Sequence, residues 1–235
     1  MISYRIIIIN DSEEFMDNYI KKTLKLLFGL FLYALGLILC IHADIGLAPW
    51  DAFGIGVSNV TGISYGNVSI ITGIVILIVL VLLFKEKIGF ATILNTILIG
   101  VFADLIVSLN IIPYMTNFFT GLLMLVTGQI VICYATYLYI SVGLCSGPRD
   151  TLMVALGKKF PNVPIGIVRG LIEGNVLLIG WLLGAKVGIG TVIYVLGIGF
   201  VLETTFKLLK FDVKSIVHES VFDTVNIFKK MYAKS

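Results

Sequence analysis

Apolar runs long enough to cross a hydrocarbon core alternate with short polar stretches along nearly the whole chain. Leu24–Ile41, Gly66–Phe84, Ala91–Leu109, Gly121–Val142, Ile165–Gly184 and Thr191–Leu209 each approach the ~20 residues a membrane span requires. Two segments break the pattern, Pro49–Val60 and Pro148–Phe160. At roughly 12 residues and ~1.5 Å rise per residue they reach only about 18–20 Å and cannot cross alone. Each opens with Pro in its first turn and an acid two residues later, where exposed N–H groups favour a negative partner. The pattern predicts an all-α polytopic membrane protein with about six transmembrane helices and two half-length helices. The half-length helices have two readings: re-entrant elements inside the bundle, or interfacial helices lying flat among headgroups, which Lys158 and Lys159 would suit.

Composition fixes the class independently. Hydrophobic residues make up 58% of the chain and charged residues 13%, and the mean hydropathy of +1.04 has no counterpart among soluble domains of this length. The net charge of +3 carries no nucleic-acid signal, because the basic residues sit between apolar runs. Cys40 and Cys133 lie inside apolar runs and read as packing thiols, and His42 and His218 are isolated, so neither a metal site nor a cofactor is expected.

Aligning the chain with itself at an offset of about a hundred residues exposes a duplication. Ala48-Pro49-Trp50-Asp51 falls on Gly147-Pro148-Arg149-Asp150. Gly66-x-Val68 falls on Gly166-x-Val168, Gly89-x-x-Thr92 on Gly188-x-x-Thr191, Ile99-Gly100 on Ile198-Gly199, and Asp104 on Glu203. We divide the chain into an N-terminal cytoplasmic segment (1–23), a first membrane repeat (24–110), a second (121–209) and a basic tail (210–235). Residues 1–15 match nothing later and are read as an extension or an early start. The first apolar run lacks an Ala-x-Ala cleavage pattern, so it reads as a retained helix.

Lysine and arginine placement predicts orientation. Lys21, Lys22 and Lys25 precede the first span, Lys85 and Lys87 follow the second, Arg149, Lys158 and Lys159 follow the fourth, and a lysine-rich tail follows the sixth. The alternate connections contain only Lys186. The positive-inside rule then places both termini in the cytoplasm. Three spans per repeat is an odd number, so the repeats are expected to be inverted, with the two Pro-x-Asp segments entering from opposite sides.

Ionisable residues inside spans are costly and suggest function. The candidates for substrate or ion binding are Pro49, Trp50, Asp51, Pro148, Arg149, Asp150, Asp104, Glu203, Arg169 and Glu173. Asp51 and Asp150 would cap half-helices or carry a proton, and Arg149 would contact an anionic solute. The competing reading makes Asp104 and Glu203 solvated interface residues, and Arg169–Glu173, at i,i+4 spacing, a structural pair. Gly180 and Gly184 have the spacing of a close helix contact that permits a homodimer without requiring one. Past the last span, Val217, Val221, Val225, Phe228 and Tyr232 share a helical face with lysines nearby, which predicts an amphipathic helix on the anionic leaflet.

The run His42-Ala43-Asp44-Ile45-Gly46-Leu47-Ala48-Pro49-Trp50-Asp51, with Thr61-Gly62-Ile63-Ser64-Tyr65-Gly66 after it, resembles the YczE/YyaS/YitT-like bacterial integral membrane proteins. So does Ser146-Gly147-Pro148-Arg149-Asp150-Thr151-Leu152-Met153, followed by Gly180-Trp181-Leu182-Leu183-Gly184 and Gly188-Ile189-Gly190-Thr191. The likeness covers about Leu24 to Leu209. Cys145-Ser146 ahead of Gly147 and the insertion around Asn162-Val163-Pro164 depart from the pattern. The resemblance implies the membrane class and no particular substrate. Two functions are therefore expected: a secondary transporter or facilitator for a small solute, or a membrane scaffold acting through a partner by its basic tail. No protease or hydrolase constellation is visible, so an enzyme is not expected.

Overall fold

All regular secondary structure among the described residues is helical in a computed structural model that describes residues 2–86, 88–143 and 147–211. Side chains of residues 2–18 and of residue 165 are outside that description, and so is the proposed amphipathic helix of the tail. The helices are α1 (Ile2–His42), α2 (Pro49–Thr61), α3 (Tyr65–Leu82), α4 (Phe90–Ser108), α5 (Phe118–Ile140), α6 (Pro148–Lys159), α7 (Ile165–Leu182) and α8 (Ile189–Leu208). Every helix expected from the apolar pattern is present, with ends shifted by a few residues. The exception is α1, which begins at Ile2 and runs unbroken for 41 residues. Residues 2–15, set aside as an extension, are the start of that helix.

Local sequence explains the boundaries. Pro49 and Pro148 sit at the first helical position of α2 and α6, where the missing N–H costs no helical bond. Gly62 ends α2 in the left-handed region at φ 72°, its N–H bonded to the Ser58 carbonyl at 2.8 Å. Ser64 and Asn117 cap α3 and α5, accepting from the backbone N–H of Asn67 and Phe119. Five helices among the described residues are long and apolar enough to cross a membrane: residues 19–42 of α1, then α3, α4, α5 and α8. Their outward faces expose Leu123, Leu196 and Phe200, as lipid contact demands. α7 has 18 residues and carries Arg169 and Glu173.

The spine is the antiparallel pair α1 and α5. Gly29 approaches Ala135, Leu138 and Tyr139, and Gly36 approaches Gly128 and Ile132, so added methyl groups would meet backbone. Leu26, Leu30, Ala34, Leu125 and Cys133 fill the seam with essentially no exposure. α4 packs on α1 and α8 on α5; α2 packs on α3 and α7, and α6 on α7 and α3.

One end of the bundle can be traced by its contacts. The Met115 N–H bonds the His42 carbonyl, and Gly121 abuts Ala43, so α5 starts where α1 ends. There the Leu47 N–H bonds the Lys186 carbonyl at 3.0 Å and the Gly190 N–H bonds the Ile45 carbonyl at 2.9 Å. Lys186 also pairs with Asp44 at 2.7 Å. The lone lysine that runs against the charge rule is thus matched by an acid beside it. Gly180 lies against Ala52 of α2, and Gly184 takes φ 88° in the turn after α7. Gly180 thus serves an internal contact with α2, while a methyl group added at Gly184 would meet nothing within 4 Å.

Candidate functional site

The two Pro-x-Asp segments form helix starts of nearly the same geometry. Ala48 precedes α2 at φ −64°, ψ 154°, and Gly147 precedes α6 at φ −61°, ψ 153°. Neither residue offers a side chain to cap its helix. Each start is held instead by its first backbone bond, Ala52 N–H to Ala48 and Thr151 N–H to Gly147. Their remaining first-turn N–H groups and positive dipole ends are available to a ligand. Both starts line one cavity of about 220 Å³ at the centre of the bundle. Helices α1, α3, α4, α5, α7 and α8 supply the rest of its wall.

Eight of the ten candidates from the sequence line this cavity: Pro49, Trp50, Asp51, Pro148, Arg149, Asp150, Arg169 and Glu173. They are far from equivalent. Asp51 is 3% exposed, and Tyr65 Oη donates to its Oδ1 at 2.9 Å. A buried carboxylate needs such a donor. Asp150, its counterpart, is exposed and makes no hydrogen bond or ion pair among the described residues. The Arg149 guanidinium stands over the Trp50 ring, 5.0 Å from its centroid, so the second residues of the two motifs touch each other across the repeat boundary. Arg149 has no carboxylate within ion-pair distance among the described residues. Arg169 Nε donates to Glu173 Oε1 at 2.8 Å, with side chains 53% and 23% exposed. That pair satisfies itself on one face of α7.

The remaining wall is partly polar. Tyr33, Asn95, Thr96, Thr136 and Tyr194 face the cavity, and Met153, Ile172, Val195, Ile198 and Leu202 give it an apolar side. Thr96 and Thr136 spend their hydroxyls on backbone carbonyls one turn earlier, at 2.8 Å each. Gln129, buried in α5, donates to the Tyr194 carbonyl at 3.2 Å and ties α5 to α8 beside the cavity. Asn95 and Tyr194 both reach the lumen. Sequence reading overlooked Tyr65 and Gln129. A tyrosine directly after the α2–α3 turn and a glutamine in an otherwise apolar run were the available signals.

Asp104 and Glu203 lie outside the lining. Asp104 accepts from the Gly66 N–H at 2.8 Å and from the Ser64 hydroxyl, pinning the start of α3 to the end of α4. Glu203 pairs with Lys207 on the open face of α8 at 2.7 Å, with both side chains well exposed. Among the described residues no group of three His, Cys, Asp or Glu side chains is placed to hold a metal ion.

A family model described as a family of unknown function, DUF6198, matches residues 20–207. An uncharacterized protein of Haemophilus influenzae is 33% identical over 189 residues, covering 80% of this chain and 85% of its own length. The uncharacterized membrane protein YczE of Bacillus subtilis is 31% identical over 176 residues, 74% of this chain and 80% of its own. YyaS of the same organism is 24% identical over 184 residues, 77% of this chain and 90% of its own. No solved structure matches.

Proposed function

The chain belongs to the DUF6198 family, and from that starting point we propose that it is a secondary transporter or facilitator for a small solute bearing an anionic group, acting in the bacterial cytoplasmic membrane. The observation that carries the reading is the meeting of both Pro-x-Asp helix starts at one cavity, with Arg149 forming no ion pair among the described residues. Half-length helices whose N-termini converge inside a bundle supply N–H groups and positive dipole to a solute, and irregular backbone is tolerated there because it lines a cavity. On this reading α1–α4 and α5–α8 are inverted repeats with six crossing helices, both termini are cytoplasmic, and α2 and α6 are re-entrant. The antiparallel course of α1 against α5 and the matched packing of α2 on α7 and α6 on α3 support it.

The difference between the halves suggests how access alternates. Gly66 and Gly100 bring α3 and α4 into backbone contact, but a methyl group added at their counterparts Gly166 and Gly199 would meet nothing within 4 Å. In the alternate state α7 and α8 close through Gly166 and Gly199, Glu203 reaches the start of α7 as Asp104 reaches that of α3, and α3 parts from α4. The solute is exposed to one side and then the other. The scaffold reading rests on the basic tail, which lies outside the described residues. The reading is of a carrier and not of an enzyme.

The test needs no knowledge of the solute. With Cys40, Cys133 and Cys145 replaced, cysteines at positions 166 and 199 are expected to cross-link in native membranes under mild oxidation. A cysteine at Ser69 in the cavity wall is expected to react with an impermeant thiol reagent from both faces of the membrane. Reaction at Ser69 from one face only, with no 166–199 cross-link, removes the transport reading.

A further inference from the structure

The charges in the cavity wall say more about the ligand than its sign at Arg149. Two guanidinium groups, Arg149 and Arg169, face three carboxylates, Asp51, Asp150 and Glu173. The formal excess is one negative charge. The uncapped starts of α2 and α6 together offset about one positive unit, roughly half a charge each. The wall as a whole is therefore near neutral, and a solute with net charge would leave a charge without a counterpart there.

Within that wall one ion pair is formed, Arg169 with Glu173, and Asp51 accepts a hydrogen bond from Tyr65. What remains without an ion pair or side-chain hydrogen bond among the described residues is one cation and one anion on consecutive residues, Arg149 on the ring of Trp50 and Asp150 exposed beside it. The cavity, about 220 Å³, has room for a small organic solute, and its side formed by Met153, Ile172 and Val195 is apolar.

From the unmatched Arg149–Asp150 couple in this near-neutral cavity, we infer that the ligand is a zwitterion of α-amino-acid size with an apolar side chain. Its carboxylate meets Arg149 and the α6 N–H groups. Its ammonium meets Asp150, and its side chain lies on the apolar wall. The inference rests on the transport reading for the site and narrows it to a solute class.

The experiment uses the full-length protein in lipid nanodiscs and three probes that differ by one charged group: L-valine, isovalerate, which lacks the ammonium, and isobutylamine, which lacks the carboxylate. Saturable binding of L-valine is expected by calorimetry, with isovalerate and isobutylamine each at least tenfold weaker. Asp150→Asn should weaken L-valine at least tenfold while leaving isovalerate little changed, and Arg149→Gln should weaken both. Gel filtration verifies that the variants remain folded, and the wild-type comparison of the three probes stands without them. Isovalerate binding as tightly as L-valine, isobutylamine doing so, or no saturable L-valine binding overturns the inference. Uptake of isovalerate but not L-valine by proteoliposomes would overturn it while leaving transport standing. Liposomes inert to all three, combined with one-sided Ser69 labelling, would remove both readings.

Discussion

Helices α3 and α4 and helices α7 and α8 occupy corresponding places in the duplicated sequence and are packed in opposite ways. The first pair is closed: Gly66 lies on the backbone of Gly100, and Asp104 bonds Ser64 and the Gly66 N–H. The second is open: Gly166 and Gly199 face empty space, and Glu203 turns to Lys207 on its own helix. The same residue types in the same order thus support two packings. The difference lies in how the helices are arranged, which is what a two-state device needs, since packed helix pairs switch between discrete arrangements and do not deform smoothly.

The comparison breaks first at the glycines. Gly100→Ala puts a methyl group against the Gly66 carbonyl and Ile70, and overpacking of this kind costs about 1–3 kcal/mol. Gly199→Ala meets no neighbour and gains helix propensity, up to about 1 kcal/mol. Thermal melting in detergent should separate the two by sign. If α7 and α8 close during transport, Gly199→Ala also lowers flux while the protein stays at least as stable. Unchanged flux with a raised melting point would show that these helices do not need to meet.

Next come the acids. Asp104→Asn weakens a charge-assisted bond to the Gly66 N–H and one to Ser64, a loss of about 1.5–3 kcal/mol. Glu203→Gln should leave the melting point unchanged, because both partners of its ion pair are open to solvent. Equal losses from the two would mean that the exposed acid has a partner in the membrane that this packing lacks.

Tyr65→Phe sharpens the contrast between the two Pro-x-Asp tips. It strips buried Asp51 of its donor and should destabilise the protein by about 1–3 kcal/mol. Among the described residues no comparable partner exists to remove at Asp150. The smallest effect belongs to Lys186→Ala, whose ion pair with Asp44 is roughly half exposed, and it should stay within about 1 kcal/mol and shrink with salt.

Much of this was legible in the sequence, for physical reasons. Span length against bilayer thickness separated α2 and α6 from the crossing helices, and the Pro-x-Asp repeat pointed to residues that meet at the cavity. The same reasoning could not tell Asp104 from Asp150. Both are acids near apolar runs, and only the course of the chain shows that one faces a helix start and the other the lumen. The offset alignment pairs Gly100 with Gly199 yet says nothing of whether each has a neighbour, because contact between helices depends on their arrangement. The Arg149–Trp50 contact was out of reach for the same reason, since it joins residues from the two halves. The early start of α1 was missed because charge and apolar pattern were read as a boundary, although a helix can continue through polar residues when its backbone bonds remain unbroken.

The two backbone bonds that join residues 45 and 47 to residues 190 and 186 have a consequence for biogenesis. The loop ahead of α2 emerges early from the ribosome, but the residues that fasten it, 186 and 190, are made only at the start of α8. Until then the first half must wait in the bilayer with that loop unfastened. A nascent chain arrested after α7 should therefore remain open to protease at Ile45, and the seal should form only once synthesis has passed Gly190.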